Sequence, residues 1–349
     1  MPSIVPASQL GCTTVTVETS HPSLIAGCIH VKGDDLATYP FFRRPSTDSV
    51  HHYLLEDVVI DGSFEHIWRG DKFVEEFFYG MDKSQNLKTD PKILVDDGDP
   101  TPVIIGFNWT CSNYFHWLLQ ASASIYSIVS RFGHSGFRIA LPQLSRWQED
   151  SMARLGFANL PRVLVSPEKQ YRFRKVAFAS ILTARSSLYS QFGAYTNALL
   201  SARSPRRTAH NLLYVSRQDA QLRSIENEEA IIRMVKQRGF SIVEAGQHSL
   251  DQQINIFRNA DVVVGPHGAG MTNMMFSRPG TIVYEFMTRQ YVNHCFATIA
   301  QNLGHEYFVD FFDRPGSSQT NGWVADLDRI ERGSTASWRG WPCRRARSV

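Results

Sequence analysis

The stretch Asp261-Val262-Val263-Val264-Gly265-Pro266-His267-Gly268-Ala269-Gly270-Met271-Thr272-Asn273 constrains this chain more than any other. Three consecutive valines read as a buried strand, and Gly265-Pro266 stops it. Two further glycines then open onto Met271 to Phe276, which reads as a short helix. Ser277-Arg278-Pro279-Gly280 turns the chain, and Thr281 to Phe286 is a second apolar strand. Strand, glycine-rich turn, helix and strand is a layout that sets backbone N–H groups and a helix N-terminus against an anion. The spacing Gly265-x-x-Gly268-x-Gly270 is neither the dinucleotide fingerprint nor a P-loop. A phosphorylated ligand held by a different pattern is the expectation.

The flanking sequence repeats the alternation. Leu212 to Val215 is a strand ending at Ser216-Arg217, and Asn227-Glu228-Glu229 opens a helix running to Arg238 with acidic residues in its first turn. Ser241 to Glu244 is a strand, and Ser249-Leu250-Asp251-Gln252 is a capping box opening a helix towards Arg258. Strands alternating with helices predict a parallel doubly wound sheet, whose ligands sit beyond the carboxyl ends of its strands. Arg217, the Gly265–Thr272 turn and Glu285 all fall at that edge. Glycine permits positive φ and close approach to a diphosphate. Arg217 and Arg223 supply forked positive charge. Glu285 is placed to accept from ribose hydroxyls, and His267 to donate to a phosphate or line a sugar pocket. Each also has a plainer reading, as a surface ion pair, a strand end or a turn side chain.

Residues 1 to about 100 are β-rich. Asp57 to Ile60 and Phe64 to Trp68 read as a hairpin about Asp61-Gly62, and Lys92 to Val95 as a strand. The strand ends in Asp96-Asp97-Gly98-Asp99-Pro100, whose Asp-x-Asp is a pattern that holds a divalent metal in one class of glycosyltransferases. The residues are also those that turns select, and the turn is the preferred reading. From Pro102 the pattern is α/β. Val103 to Phe107, Phe137 to Leu141, Arg162 to Val165 and Lys175 to Ala179 are strands, with helices over Arg146–Leu155 and Tyr189–Ala202. Asn113 to Phe132 is a helix with Trp117, Ala121, Ile125, Ile128 and Phe132 on a core face, and Asn113, His116, Gln120, Ala123 and Ser127 on a small polar one. His116 sits in the first turn, where the helix dipole disfavours the imidazolium and favours a neutral base. The polar, basic, Pro-broken run 201–208 is the linker, dividing a domain of residues 1–205 from one of 206–349.

At 349 residues, 43% hydrophobic and 20% charged, the chain can bury a substantial core. A net charge of +3 gives no case for nucleic acid, and five scattered cysteines without metal-ligand spacing read as mostly reduced. No window approaches the about 18–20 apolar residues of a membrane span, and the N-terminus lacks signal-peptide character. The expectation is a soluble chain, cytoplasmic or at most peripheral to a membrane, where the Trp338–Arg347 tail mixes tryptophan with arginine.

Asn113-Tyr114-Phe115-His116-Trp117-Leu118-Leu119, then Val215-Ser216-Arg217 with Asn227-Glu228, then Val264 to Asn273 and Val283-Tyr284-Glu285, resemble the ordered motifs of glycosyltransferase family sixty-one. The resemblance covers about residues 100 to 290, and the His-Gly-Ala-Gly segment is its most specific part. It implies two Rossmann-like domains facing a cleft, the GT-B type, and an inverting transfer from a UDP-sugar to a hydroxyl of a glycan or glycoprotein. It also implies a Golgi or endoplasmic reticulum lumen setting if an anchor precedes this chain, or bacterial surface-polysaccharide synthesis. Gln120 stands where an acid often follows Trp-Leu-Leu, and Met271 where leucine is usual. On this reading Asn113, Arg217, Arg223, Gly265, His267, Gly268, Ala269, Gly270, Met271, Thr272 and Glu285 bind substrate. His116 is the base, and no cofactor or divalent metal is expected. The alternatives are a metal-dependent transferase using Asp97 and Asp99, and a nucleotide-sugar-binding protein without catalysis.

Overall fold

The computed structural model describes residues 2–18, 21–22, 29–32, 46–47, 49–78, 93–180, 192–200, 211–218, 222–316 and 322–338. The run read as a linker (201–208) and the arginine-rich tail from Arg339 onward lie outside them. The fold is mixed α/β and divides into two compact units, residues 1–21 with 47–201 and residues 22–46 with 202–349.

The second unit is built on a parallel sheet of six strands among the described residues. In order they are Ser241–Val243, Leu212–Val215, Val262–Pro266, Ile282–Thr288, Glu306–Phe312 and Ile29–Lys32. The first four are the strands read from periodicity. Every residue of Val262–Pro266 and Ile282–Thr288 is buried, as continuous apolar runs covered on both faces require. The capping box forms as expected: Ser249 N–H donates to Gln252 Oε1 at 2.9 Å and Gln252 N–H to Ser249 Oγ at 3.3 Å. Asn227 differs. It precedes the Glu228–Lys236 helix without capping it, and its side chain instead brackets the backbone of Ala325, donating to the carbonyl and accepting from the N–H, both at 2.8 Å.

That bracket belongs to a part of the unit that local pattern did not reveal. Helices Cys295–Leu303 and Leu327–Trp338 and the strands Glu306–Phe312 and Ile29–Lys32 complete it. Arg329 of the last helix pairs with buried Asp310, 3.0 Å from Nη2 to Oδ1, while Tyr284 donates to the other carboxylate oxygen at 2.8 Å. Trp323, Ala325 and Ile330 enter the core formed by Tyr214, Ile231, Val264 and Phe286. The helix is thus held by a buried ion pair and a few apolar residues, not by a long hydrophobic stripe.

The first unit has a mixed sheet, antiparallel around its β-rich start and parallel among the strands of the α/β part. Its long strand Val50–Asp61 pairs antiparallel with Lys169–Ala179 and with Thr13–Glu18. The hairpin about Asp61-Gly62 is present, with Val59 opposite Trp68 and Ile60 opposite Ile67. Lys169–Ala179, Val103–Ile104, Arg138–Leu141 and Arg162–Leu164 form a parallel run, and Ile93–Asp96 with Lys169–Ala179 and Ser3–Val5 with Lys72–Val74 also pair parallel. The Asp-x-Asp closes a turn: Asp97 takes a two-pronged contact from Arg138, at 3.0 and 2.6 Å, and Asp99 Oδ1 accepts from Thr101 N–H at 2.8 Å. Both carboxylates are engaged in folding this turn, which is the turn reading of the segment.

The helix from Asn113 is where the first unit departs most from its helical wheel. Tyr114–His116 and Ser122–Phe132 are α-helical, but Trp117–Ala121 between them is a π turn closed by Ser122 N–H to Trp117 O. Trp117, Ala121, Ile125 and Ile128 are fully buried as expected, whereas Phe132, the last helical residue before Gly133, is 46% exposed. The face read as polar is buried from Gln120 onward, at Gln120, Ala123 and Ser127, while Asn113 is exposed and His116 half-buried. Ser127 hydrogen-bonds His52 at 2.9 Å, and Ser122 meets Tyr195 of the Phe192–Leu200 helix at 2.8 Å. Small residues there let a second helix approach closely. Among the described residues no helix is long and apolar enough to cross a membrane.

Candidate functional site

The glycine turn follows Val262–Pro266 and leads into a 3₁₀ helix, Ala269–Phe276, tighter than the α-helix the pattern suggested. None of Gly265, Gly268 and Gly270 adopts the left-handed backbone that favours glycine. Their smallness is what counts. A Cβ on Gly265 would lie 2.9 Å from the Val215 carbonyl oxygen and 3.0 Å from Met271 Sδ. A Cβ on Gly268 would fall 1.6 Å from a terminal nitrogen of Arg217. The turn therefore exists so that the neighbouring strand end, and the arginine that follows it, can lie directly against its backbone.

Arg217 is fixed from three sides. Its N–H donates to Glu228 Oε1 at 2.8 Å, Nη2 donates to the Leu222 carbonyl at 2.8 Å, and the guanidinium covers Gly268. Glu228 is buried and also accepts from Tyr214 Oη at 3.1 Å. A carboxylate in the first turn of the Glu228–Lys236 helix thus ties the end of the Leu212–Val215 strand to that helix. Arg217 and Gly268 share the carboxyl edge of the sheet, where anionic ligands of parallel sheets bind.

Glu285 lies deeper than its sequence position suggested. The strand runs on to Thr288, and Glu285 stands in register with Gly265 beneath the turn, with no exposed surface. One carboxylate oxygen takes His267 Nδ1 at 2.5 Å; the other accepts from Tyr307 Oη. A carboxylate oxygen accepts here, so Nδ1 carries the hydrogen of this contact. His267 is itself held by its own N–H on Phe286 O at 2.9 Å and by the rings of Tyr291 and Phe296.

His267 lines an open recess of about 230 Å³ with Arg223, Thr288, Tyr291 and Trp323. Arg223 stacks over the Tyr291 ring at 4.3 Å from a left-handed backbone with φ of 55°. Burial, and then the charge of Arg314, lower its pKa, which marks a second guanidinium at this edge. Thr288 Oγ1 is buried here without a hydrogen-bond partner among the described residues. Arg314, Thr288 and Tyr291 escaped the sequence reading. The one local signal was an arginine just past the Glu306–Phe312 strand.

The remaining expected residues are placed as follows. Ala269 and Gly270 are partly exposed on the 3₁₀ helix, whereas Met271 and Thr272 are fully buried and face the interior. Asn113 is in the first unit, where its side chain caps its helix by accepting from Phe115 N–H at 2.9 Å. His116 follows three residues on, with Nδ1 3.1 Å from Gln120 Oε1; burial lowers its pKa, opposed by that hydrogen bond. Gln120, at the position where an acid often follows Trp-Leu-Leu, therefore meets the imidazole through its amide oxygen. The structure brings Arg217, Gly265, Gly268 and Gly270 together at one point of the second unit, and Arg223, His267 and Glu285 at its neighbour. Among the described residues no group of three or more His, Cys, Asp or Glu has a geometry that holds a metal. Cys12, Cys111 and Cys295 are free thiols.

Comparison with known proteins coincides with this geometry. Residues 114–284 match the family model described as Glycosyltransferase 61, just under half of the 349 residues. The matched span opens two residues before His116 and takes in Arg217, Arg223 and the glycine turn, closing beside Glu285. The chain is 26% identical over 130 residues to a protein from Arabidopsis thaliana described as a beta-1,2-xylosyltransferase. That alignment covers 31% of this chain and 24% of the relative, so it spans about a quarter of the relative's length.

Proposed function

We propose that this chain, whose residues 114–284 are a glycosyltransferase family 61 domain, is an inverting enzyme that moves a sugar from a UDP-sugar to a hydroxyl of a glycan or glycoprotein. The observation that carries the donor assignment is the seating of Arg217 against Gly268 at the carboxyl edge of a parallel sheet. A guanidinium held by the Leu222 carbonyl, on a residue whose backbone N–H is tied to the Glu228 carboxylate, is pre-arranged for a diphosphate, and glycine lets the phosphate oxygens reach backbone N–H groups. His267 and Arg223 line the adjoining recess.

The reaction is a single in-line displacement. His116 Nε2 takes the proton of the acceptor hydroxyl, and the oxygen forms a bond to the anomeric carbon. The bond from that carbon to the diphosphate oxygen breaks on the opposite face, and its electron pair leaves with UDP. Arg217 and backbone N–H donors meet the charge that develops on the leaving group, so no divalent metal is required. A two-domain GT-B arrangement suits this division of labour.

The test is incubation with a panel of UDP-sugars, read as UDP release and as the anomeric configuration of the product. An inverted product supports the assignment. UDP binding with no UDP release from any donor, with or without acceptor, points instead to a nucleotide-sugar-binding protein.

A further inference from the structure

We propose that Asn108 is a positioning residue for His116, acting through Gln120 to keep the imidazole hydrogen on Nδ1 and the lone pair on Nε2. The proposal rests on His116 as the base, and it names the residues that make the ring a base at the correct nitrogen.

The assignment follows from one group with no choice. A backbone N–H only donates, and that of Thr110 lies 3.0 Å from Asn108 Oδ1. The Thr110 hydroxyl and the Cys111 thiol donate to the same oxygen, at 2.6 and 3.2 Å. The oxygen of the Asn108 amide therefore faces Thr110, and its Nδ2 faces Gln120 Oε1 at 3.0 Å. An amide N–H only donates as well, so Gln120 presents oxygen at this point. That oxygen is also 3.1 Å from His116 Nδ1. An amide oxygen only accepts, so Nδ1 carries the hydrogen. A backbone amide six residues before His116 thus sets its tautomer through two side-chain amides.

Burial makes the relay rigid. Asn108 is 5% exposed and Gln120 1%, and Gln120 sits in the π turn that interrupts the helix, a feature that recurs at functional sites. Gln148 Nε2 anchors the Cys111 carbonyl at 3.1 Å, which holds the Asn108–Cys111 loop in place. Gln120 also retains a buried Nε2 with no hydrogen-bond partner among the described residues. An apolar residue of the same shape would avoid that orphan, so packing does not account for the amide; its oxygen does. Burial also favours the neutral ring, the form in which the choice of tautomer decides which nitrogen takes a proton.

The relay is tested by reversing it. Asn108→Asp keeps the shape but accepts where Asn108 donates, so Gln120 turns its NH₂ towards positions 108 and 116 and His116 switches to the Nε2–H tautomer. Gln120→Met removes the accepting oxygen and the orphan together, a second variant that retains the packing volume. Gln120→Glu keeps an accepting oxygen and serves as the conservative rescue. The readouts are ¹⁵N NMR of the His116 ring, assigned by the signal lost in His116→Ala, and the pH profile of kcat. The expected result is Nδ1–H in the parent and in Gln120→Glu, and loss of that tautomer in Asn108→Asp and Gln120→Met. In those two variants kcat should fall roughly 10–100-fold with donor KM unchanged, the range for residues acting through another. An unchanged Nδ1–H signal in both, or an Nε2–H signal in the parent, overturns the proposal. Near-parent turnover in His116→Ala overturns the base assignment and leaves the tautomer result standing, so the two failures are distinguishable.

Discussion

His267 Nδ1 meets Glu285 Oε1 at 2.5 Å, and the carboxylate it meets has no surface exposed to solvent. The contact joins a side chain that lines a recess to a strand position in register with Gly265, beneath the turn. With Tyr307 donating to the second oxygen, Glu285 is the hub from which the histidine is aimed. Five expectations follow from this and from neighbouring arrangements.

Removing the hub strands two buried donors. Glu285→Ala is expected to lower stability by about 2–6 kcal/mol, about 1–3 kcal/mol for each of the two stranded donors, and Tyr307→Phe by about 1–3 kcal/mol. Denaturant unfolding of both variants checks this. A loss under about 1 kcal/mol in Glu285→Ala contradicts the hub.

Gly268→Ala sets a methyl group onto the Arg217 guanidinium, which is the movable end of a side chain. Stability should change little, while donor affinity falls about 10–100-fold, matching the ~1.5–3 kcal/mol of a charged hydrogen bond. Gly265→Ala meets the Val215 backbone instead and should destabilise the fold itself. Titration of UDP against melting temperature separates the two; equal affinity in Gly268→Ala and the parent is the contrary outcome.

His116→Ala should reduce kcat by about 10²–10⁴-fold, the usual contribution of a positioned base. A base works only when neutral, and burial lowers the pKa of His116 below the usual 6.5. The acidic limb of the kcat profile should therefore fall below pH 6.5 and vanish in the variant. A limb at or above the ordinary histidine value speaks against it.

His305 is fully buried, with Nε2 donating to the Met274 carbonyl at 3.0 Å and burial lowering its pKa to about 4. The unfolded chain binds this proton near pH 6.5 and the folded chain near 4, so the unfolded state holds more protons in between. Stability should be full above pH 6.5 and decline as the pH falls to 4, by up to about 3 kcal/mol from this group. His305→Gln keeps a donor and removes the titration. Unfolding at pH 7 and 4.5 should show a shallower loss in that variant, and identical slopes would refute the assignment.

The Asp97–Arg138 contact makes a prediction about metal. Turnover should persist in excess chelator, and Asp97→Asn should retain activity while losing stability. A strict manganese requirement would return Asp97 and Asp99 to the reaction.

Much of the second unit was legible because its signals are local. Valine runs, glycine stops and the Ser249–Gln252 box each act within one helical turn or one strand. The Leu327–Trp338 helix was not legible, because its anchors are Arg329 on Asp310 and the bracket of Asn227 on Ala325, 98 residues apart in the chain. Nor was the strand Ile29–Lys32, which pairs with Glu306–Phe312 across most of the sequence. Phe132 followed the helical period yet lies exposed, since it ends its helix. The glycines were expected both for positive φ and for close approach without a side chain, and it is the missing side chain that the structure uses.

The sequence by itself determined the strands and helices whose signals are local, which edge of the second sheet gathers glycine and arginine, and which family the central motifs resemble. Only the tertiary structure decided which polar atoms meet. Glu285 became the partner of His267 through the register of two parallel strands, and Gln120 the partner of His116 through a π turn and a loop six residues upstream. The physical reason is range: periodicity and capping are set by neighbours along the chain, whereas a hydrogen bond needs two atoms within about 3 Å, and the packing of distant segments sets that distance.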